Sequence, residues 1–573
     1  MRRLIALAVT TCAVVIASAA AAQAAPRDVS SEKLRKTVTL EGLQQHLEAF
    51  QAIGSANGNT RATGTPGYDA SVDYVVGKLE RAGYEVTTPL FNYPVWRENT
   101  PARLTWGART FTSSPSSASG TAVDMITFGF AQSGTLTNLL VVPTNDIVIH
   151  SGGDNTSTSG CEEADFPAAT AGNIALIQRG TCPFVQKLAL AEEAGAAGVI
   201  LFNEGNSATR QNPQFIEGPF DFGIPAVYVS APIGKELYAA TQQGPVQVTL
   251  ATDTTTTPRF FRNVVAYSQT GDPDNTVMLG AHLDSVPAGP GVNDNGSGSS
   301  ALLEIAEGMA KLAKNKNKGS LTNRVAFAFW GAEESGLIGS TYFVEQLSEA
   351  EKADILANLN FDMLASPNFA RLVYDGDGDA FGTEGPPGSD IIEHVFNQYF
   401  ESQGLAYEGT AFTGRSDYGP FIAEGIPAGG LFTGAEAPKT AVQVARYGGV
   451  QGAWLDPCYH QSCDTLSTLL GSPPVSAQGF IPLPADQRAA AAAALAGNAM
   501  VGFDQMADAA AHATWYMTMA RNPLAGEPTL TLPKRAGAGK AGTARKAQTR
   551  TSRKARGKHG ITLKYRGDKR IAR

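Results

Sequence analysis

The sequence predicts an α/β fold, a mostly parallel mixed sheet covered by helices on both faces, carrying a small β-rich insert. Three observations carry that expectation: near-continuous apolar strand runs after residue 263, amphipathic helical stretches between them, and a β-rich segment of different character over residues 134–252. Strands buried on both faces read as continuous apolar runs, and intervening helices supply the covering layers.

Taken in chain order, Met1-Arg-Arg, an apolar run from Leu4 to Ala22 and the small-residue end Ala22-Gln-Ala24 read as a secretory signal peptide over residues 1–24. No later run is long enough to span a bilayer, so no transmembrane segment is expected and the mature chain is read as extracellular. Helical spacing follows over Glu41 to Ile53 and Ser71 to Ala82, where Val72, Val75, Val76 and Leu79 recur at three and four. Strands for these helices to pack on lie at Asn263 to Ser268, Thr276 to Leu283, Arg324 to Trp330, Asn358 to Leu364 and Gly429 to Thr433, with helices at Ser299 to Ala313 and Asp390 to Ser402. Residues 25–133 and 253–525 thus form the main unit, interrupted by the insert.

Within 134–252, strands at Asn138 to Val142, Ile174 to Ile177, Ala197 to Phe202 and Pro225 to Val229 surround a helix over Phe184 to Ala194. Cys12 leaves with the signal peptide, and the even number remaining in an oxidising compartment implies two disulfides. Three pairings are possible, and proximity favours Cys161 with Cys182 and Cys458 with Cys463. Hydrophobic residues make up 43% and charged residues 17%, which excludes a disordered or fibrous chain. The net charge of −8 hides a tail, 534–573, with fifteen Lys and Arg against one acid. Poor in large apolar residues, that tail is expected to be disordered; its charge suits an anionic envelope surface, and no specific nucleic-acid partner is expected.

The chemistry concentrates in four places. In Ala281-His282-Leu-Asp284, residues two apart on a strand face the same way, so Asp284 can accept the second ring N–H of His282 and set its tautomer. Asp294 follows in a Gly-rich loop, and a carboxylate there can bridge two ions roughly 3.5 to 4 Å apart. Glu333 and Glu334 are adjacent after a strand and point apart, so one can bind metal while the other handles the proton of the attacking water. Asp362 ends another apolar strand, and His460 sits in Cys458-Tyr-His-Gln-Ser-Cys463. A lone strand histidine or a pair of acids before a helix is usually structural. Three of these four pieces, however, stand at strand ends, where open α/β sheets place their sites. No Gly-x-Ser-x-Gly elbow linked to a triad and no phosphate loop competes with them.

Two resemblances sharpen this reading. Ile177-Gln-Arg-Gly-Thr-Cys-Pro-Phe184 and the helix and strand that follow resemble the protease-associated (PA) domain, which implies a non-catalytic module that shapes access or binds partners. The metal motifs, in order from about Leu40 to Met519, resemble the M28 family of co-catalytic zinc aminopeptidases. That resemblance implies a secreted di-zinc aminopeptidase acting on peptides with a free N-terminus, and the aromatic Phe432 points to an apolar N-terminal side chain. His282, Asp294 and Asp362 would hold one Zn²⁺ and Asp294, Glu334 and His460 the other. Glu333 would be the general base for water shared by the two ions. It further implies that Arg415, in Gly414-Arg-Ser-Asp-Tyr-Gly-Pro-Phe421, and Phe432, in Gly429-Gly-Leu-Phe-Thr-Gly434, line the substrate pocket, and that Tyr459 donates to the oxyanion. Glu333 and Asp362 together could hold the substrate ammonium. A carboxypeptidase, a one-zinc glutaminyl cyclase and a non-catalytic secreted binding protein are the competing readings.

Overall fold

The computed structural model describes residues 30–525, apart from 115–122, 150–155, 208–209, 214–217, 221 and 314–319. The segments read as signal peptide and basic tail lie outside the described residues. Sixteen strands are found among those described: β1 (Glu85–Thr87), β2 (Leu90–Trp106), β3 (Arg109–Thr112), β4 (Met125–Thr127), β5 (Gly134–Pro143), β6 (Ile174–Gln178), β7 (Gly198–Phe202), β8 (Ala226–Val229), β9 (Gln247–Arg262), β10 (Val264–Tyr267), β11 (Asp272–His282), β12 (Asn323–Trp330), β13 (Ile355–Phe361), β14 (Leu372–Tyr374), β15 (Glu408–Thr410) and β16 (Ala428–Phe432).

They form two sheets. The first runs β1-β10-β12-β11-β13-β16-β14-β15, with β12, β11, β13 and β16 mutually parallel at its centre; β1–β10, β10–β12 and β16–β14 are antiparallel, and the edge pair β14–β15 is parallel. Period-two alternation divides its side chains between two layers. Val277, Leu279, Ala281, Val325, Phe327 and Phe329 enter one core with the helices Leu40–Ala56, Pro66–Ala82, Gly296–Ala313, Ser389–Gln403 and Asn498–Met519. Met278, Ala326, Ala328 and Trp330 face the other way, against Phe343 and Phe421 of the helices Ile338–Gln346 and Tyr418–Ala423. The local signals agree with these elements: the Thr39 side chain caps the first of these helices at Gly42 N (3.0 Å), and the second begins at Pro66 and ends on Gly83 at φ 97°.

The second sheet runs β3-β2-β9-β5-β6-β7-β8-β4, with β5 to β8 parallel in succession and the helix Phe184–Glu193 packed on it. It starts upstream of residue 134, the expected start of the insert, because β2, β3 and β4 are part of it. The long antiparallel ribbon β2–β9 is not evident in the sequence. Thr254 to Thr257 and the prolines at 94 and 258 show no apolar alternation, and cross-strand pairing makes them strand. One end of the ribbon buries Phe91 and Phe261 in the first core, and the other buries Leu104 and Leu250 in the second. The structure joins Cys161 to Cys182 and Cys458 to Cys463. No helix among the described residues is long and apolar enough to cross a membrane.

Candidate metal centre and catalytic cleft

Central parallel strands end together, and the loops that follow them meet above their carboxyl ends. His282 is the last residue of β11, Glu333 and Glu334 follow β12, and Asp362 follows β13. Asp294 precedes the helix Gly296–Ala313, and His460 comes from the loop closed by the Cys458–Cys463 disulfide. The structure brings all six together. His282 Nε2 lies 3.2 Å from Asp294 Oδ1, 3.3 Å from Asp362 Oδ1 and 3.8 Å from Glu333 Oε2. His460 Nε2 lies 3.1 Å from Glu334 Oε2 and 3.4 Å from Asp294 Oδ2. Candidate donor atoms of His282, Asp294 and Glu334 lie within 4.8 Å of one another, as do those of His282, Glu333 and Asp362.

Electrostatics follow from crowding acids in a buried place. Burial opposes charge on His282, but the carboxylates of Glu333 and Asp362 outweigh it and hold its pKa well above the ordinary imidazole value. Burial also raises Asp294, yet hydrogen bonds from His282 and His460 prevail and hold it well below the usual carboxylate range. Glu333 moves the opposite way: burial, reinforced by Asp362 and Asp417, raises it well above a normal glutamate despite His282. The donor set fits a borderline-soft divalent cation such as zinc, two imidazole nitrogens with several carboxylate oxygens. Glu334 Oε1 is buried with no hydrogen-bond partner, as expected of an oxygen whose natural partner is a metal.

Asp284 departs from its expected role in detail. The ring Nδ1 of His282 meets the backbone oxygen of Asp284 at 3.1 Å, whereas its carboxylate is 3.7 Å away. The carboxylate Oδ1 instead accepts from the backbone N–H of Glu333 at 3.2 Å, so Asp284 orients both the histidine and the glutamate loop. Tyr459 stacks on His460, ring centroids 3.8 Å apart, and its hydroxyl accepts from Arg415 Nη2 at 3.0 Å. Arg415 also donates to Glu436 Oε1 at 2.8 Å. Beside the centre opens a cavity of about 900 Å³, lined by Arg415, Phe432 and Tyr459 and by the apolar side chains of Met363, Leu372 and Phe381. Phe432 is half-buried, packing on the cores around Leu372 and Tyr374 while it faces that space.

Several supporting residues carry no sequence signal. Asp464 accepts from the backbone N–H groups of Asn293 (2.7 Å) and Asp294 (2.9 Å), holding the loop that carries Asp294 from 170 residues away. Asp456 accepts from Asn293 Nδ2 at 2.6 Å, and Ser416 Oγ donates to Asp362 Oδ2 at 2.6 Å. Arg61, fully buried, donates to the carbonyls of Leu283, Pro290 and Gly291. Only the fold joins these distant positions. Asp456 and Asp464 flank the Cys458-Tyr-His motif in sequence, but nothing in their spacing says which distant groups they hold.

Residues 263–472 match the model of Peptidase family M28, and residues 140–237 match that of the PA domain. An aminopeptidase of Pseudomonas aeruginosa is 42% identical over 446 residues, covering 76% of this chain and 78% of the relative. The chain belongs to peptidase family M28, and so to the enzymes that hydrolyse peptide bonds. Among solved structures, an aminopeptidase from Aneurinibacillus sp. strain AM-1 superposes with a TM-score of 0.62 at 22% identity, covering 87% of this chain and 97% of that one. BSAP, a zinc aminopeptidase from Bacillus subtilis, does so with a TM-score of 0.54 at 22% identity, covering 81% and 94%. At that identity the two structures speak for the fold.

Proposed function

We propose that this M28 peptidase is an exported di-zinc aminopeptidase that removes N-terminal residues with apolar side chains. The observation that carries the reading is Asp294, whose two carboxylate oxygens face different histidines, with Glu333 in the same cluster and an open cavity beside it. His282, Asp294 and Asp362 would hold one zinc, and Asp294, Glu334 and His460 the other. Bound zinc would act as a Lewis acid, polarising the scissile carbonyl and acidifying water towards a pKa of about 7.

The chain's own groups do the rest. Glu333 takes the proton of the attacking water on its carboxylate and returns it to the leaving amine; burial raises its pKa above that of an ordinary glutamate, which favours taking up a proton. Tyr459 accepts from Arg415, which leaves its O–H to donate to the developing oxyanion. Glu333 and Asp362 receive the substrate ammonium, and the wall formed by Leu372, Phe381 and Phe432 receives its side chain. Arg415, the cation that could take a C-terminal carboxylate, is already paired with Glu436, which favours the free amine as the recognised end. The Pseudomonas relative is an aminopeptidase and BSAP of Bacillus a zinc aminopeptidase, which supports the activity and the metal. The two disulfides support an oxidising compartment, and the basic tail is the part suited to an anionic surface.

Two chromogenic leucine anilides, one with a free amine and one N-acetylated, test the reading before and after chelation and zinc return. Cleavage of the free-amine substrate alone, lost with chelator and restored by zinc at two ions per chain, is expected. Cleavage of neither, or full activity at one zinc per chain, overturns it.

A further inference from the structure

The sequence Asp375-Gly-Asp-Gly-Asp379 follows β14, which forms part of the cavity wall. Alternating acids in such a turn bring their carboxylates to one side, and here a fourth acid joins them from the helix Ser389–Gln403: candidate oxygens of Asp375, Asp377, Asp379 and Glu393 lie within 4.8 Å of one another. Clusters of exposed acids are common and by themselves mean little. This one has a buried member. Asp375 is 1% exposed; its Oδ2 accepts the backbone N–H of Phe381 at 2.8 Å, while its Oδ1 is buried with no hydrogen-bond partner. A buried carboxylate oxygen without a donor is costly unless a cation satisfies it. The charges acting on Asp379 are those of Asp377, then Asp375, and both raise its pKa, as expected of acids gathered with no counter-charge among them.

We propose that these four acids form a second metal site, separate from the zinc centre, which binds one calcium ion. The donors are all oxygen, with no imidazole or thiolate, which selects a hard cation over zinc. Two acids on an exposed turn and one on a helix make an adaptable cage of the kind calcium accepts, whereas magnesium demands stricter octahedral geometry and keeps its water. The ion ties the turn to the helix Ser389–Gln403. It also pins the wall of the cleft: Asp375 holds Phe381 through its carboxylate and Thr410 through its backbone N–H (2.8 Å), and both of those residues line the cavity.

The test uses the full-length, zinc-loaded protein desalted into calcium-free buffer. Calcium retained per chain is measured by elemental analysis, and the protein is then titrated with CaCl₂ by calorimetry while thermal melts are followed. Retained plus titrated calcium should sum to one per chain, with Kd no weaker than about 10⁻³ M and Tm raised by about 2 to 5 °C at saturation. The doubly substituted D377N/D379N variant changes only exposed side chains; it should keep its two zinc ions and lose both the calcium and the Tm rise. Wild-type protein that neither retains nor titrates calcium overturns the proposal. So does a double variant that binds calcium as well as wild type, or an equal response to MgCl₂.

Discussion

Asp294 and His460 meet at 3.4 Å through Oδ2 and Nε2, while the other oxygen of the same carboxylate lies 3.2 Å from His282. One side chain therefore reaches two histidines that lie 178 residues apart in the chain, and in the proposed di-zinc centre its loss should affect both ions at once. Asp294→Asn is expected to reduce bound zinc from two per chain to one or none, together with nearly all turnover. Elemental analysis of the desalted variant checks this; two retained zinc ions would remove Asp294 from the bridging role.

Glu333 is expected to part company with its neighbours in the centre. Glu333→Gln should lower kcat by about 10² to 10⁴ while leaving both zinc ions bound. Rate measurements paired with zinc counts on one preparation decide the matter, because zinc lost along with rate would make Glu333 a ligand.

Asp464 acts at one remove. Its carboxylate holds the backbone N–H groups of Asn293 and Asp294, so Asp464→Asn keeps the size but weakens the hold on the metal loop. Zinc affinity, read by competition with a chromophoric chelator, should fall about 10- to 100-fold. An unchanged affinity would limit Asp464 to a folding role.

Phe432 faces the cavity beside Leu372. Truncation in Phe432→Ala should erode the preference for a leucyl over an alanyl anilide by about 10-fold or more, chiefly through kcat/KM. Should both substrates slow equally, the ring packs the core without reading the substrate side chain.

His512 provides a pH dependence away from the metal centre. Burial in the helix Asn498–Met519, with a lesser push from Arg35, lowers its pKa from 6.5 to about 4, and Nδ1 meets Ser31 Oγ at 2.8 Å. Between those values the unfolded chain binds a proton that the folded chain does not, so stability is full above pH 6.5 and falls as pH drops towards 4. The loss amounts to roughly 3 kcal/mol at most. Melts of His512→Gln should show a shallower decline in Tm over that interval than wild type, and parallel curves would refute the assignment.

Much of the architecture is legible in the sequence because it is written in local patterns. The runs Met278-Leu-Gly-Ala-His282 and Val325-Ala-Phe-Ala-Phe-Trp330 declare strands buried on both faces, and His282, Glu333 and Glu334 stand at or just beyond the points where those runs stop. The β2–β9 ribbon escapes such reading because threonines and prolines become strand only when a partner is in register.

The candidate ligands were determined by the sequence, by residue type, by the strand ends at His282, Glu333, Glu334 and Asp362, and by the motifs that carry Asp294 and His460. What only the tertiary structure decided is who supports them. Asp464, Asp456, Ser416 and Arg61 act through hydrogen bonds to backbone or side-chain groups far away in the chain. Asp284 grips the Glu333 backbone rather than the histidine ring with its carboxylate. Hydrogen bonding depends on distance and direction within a few tenths of an ångström, and sequence spacing carries no such information across separate elements.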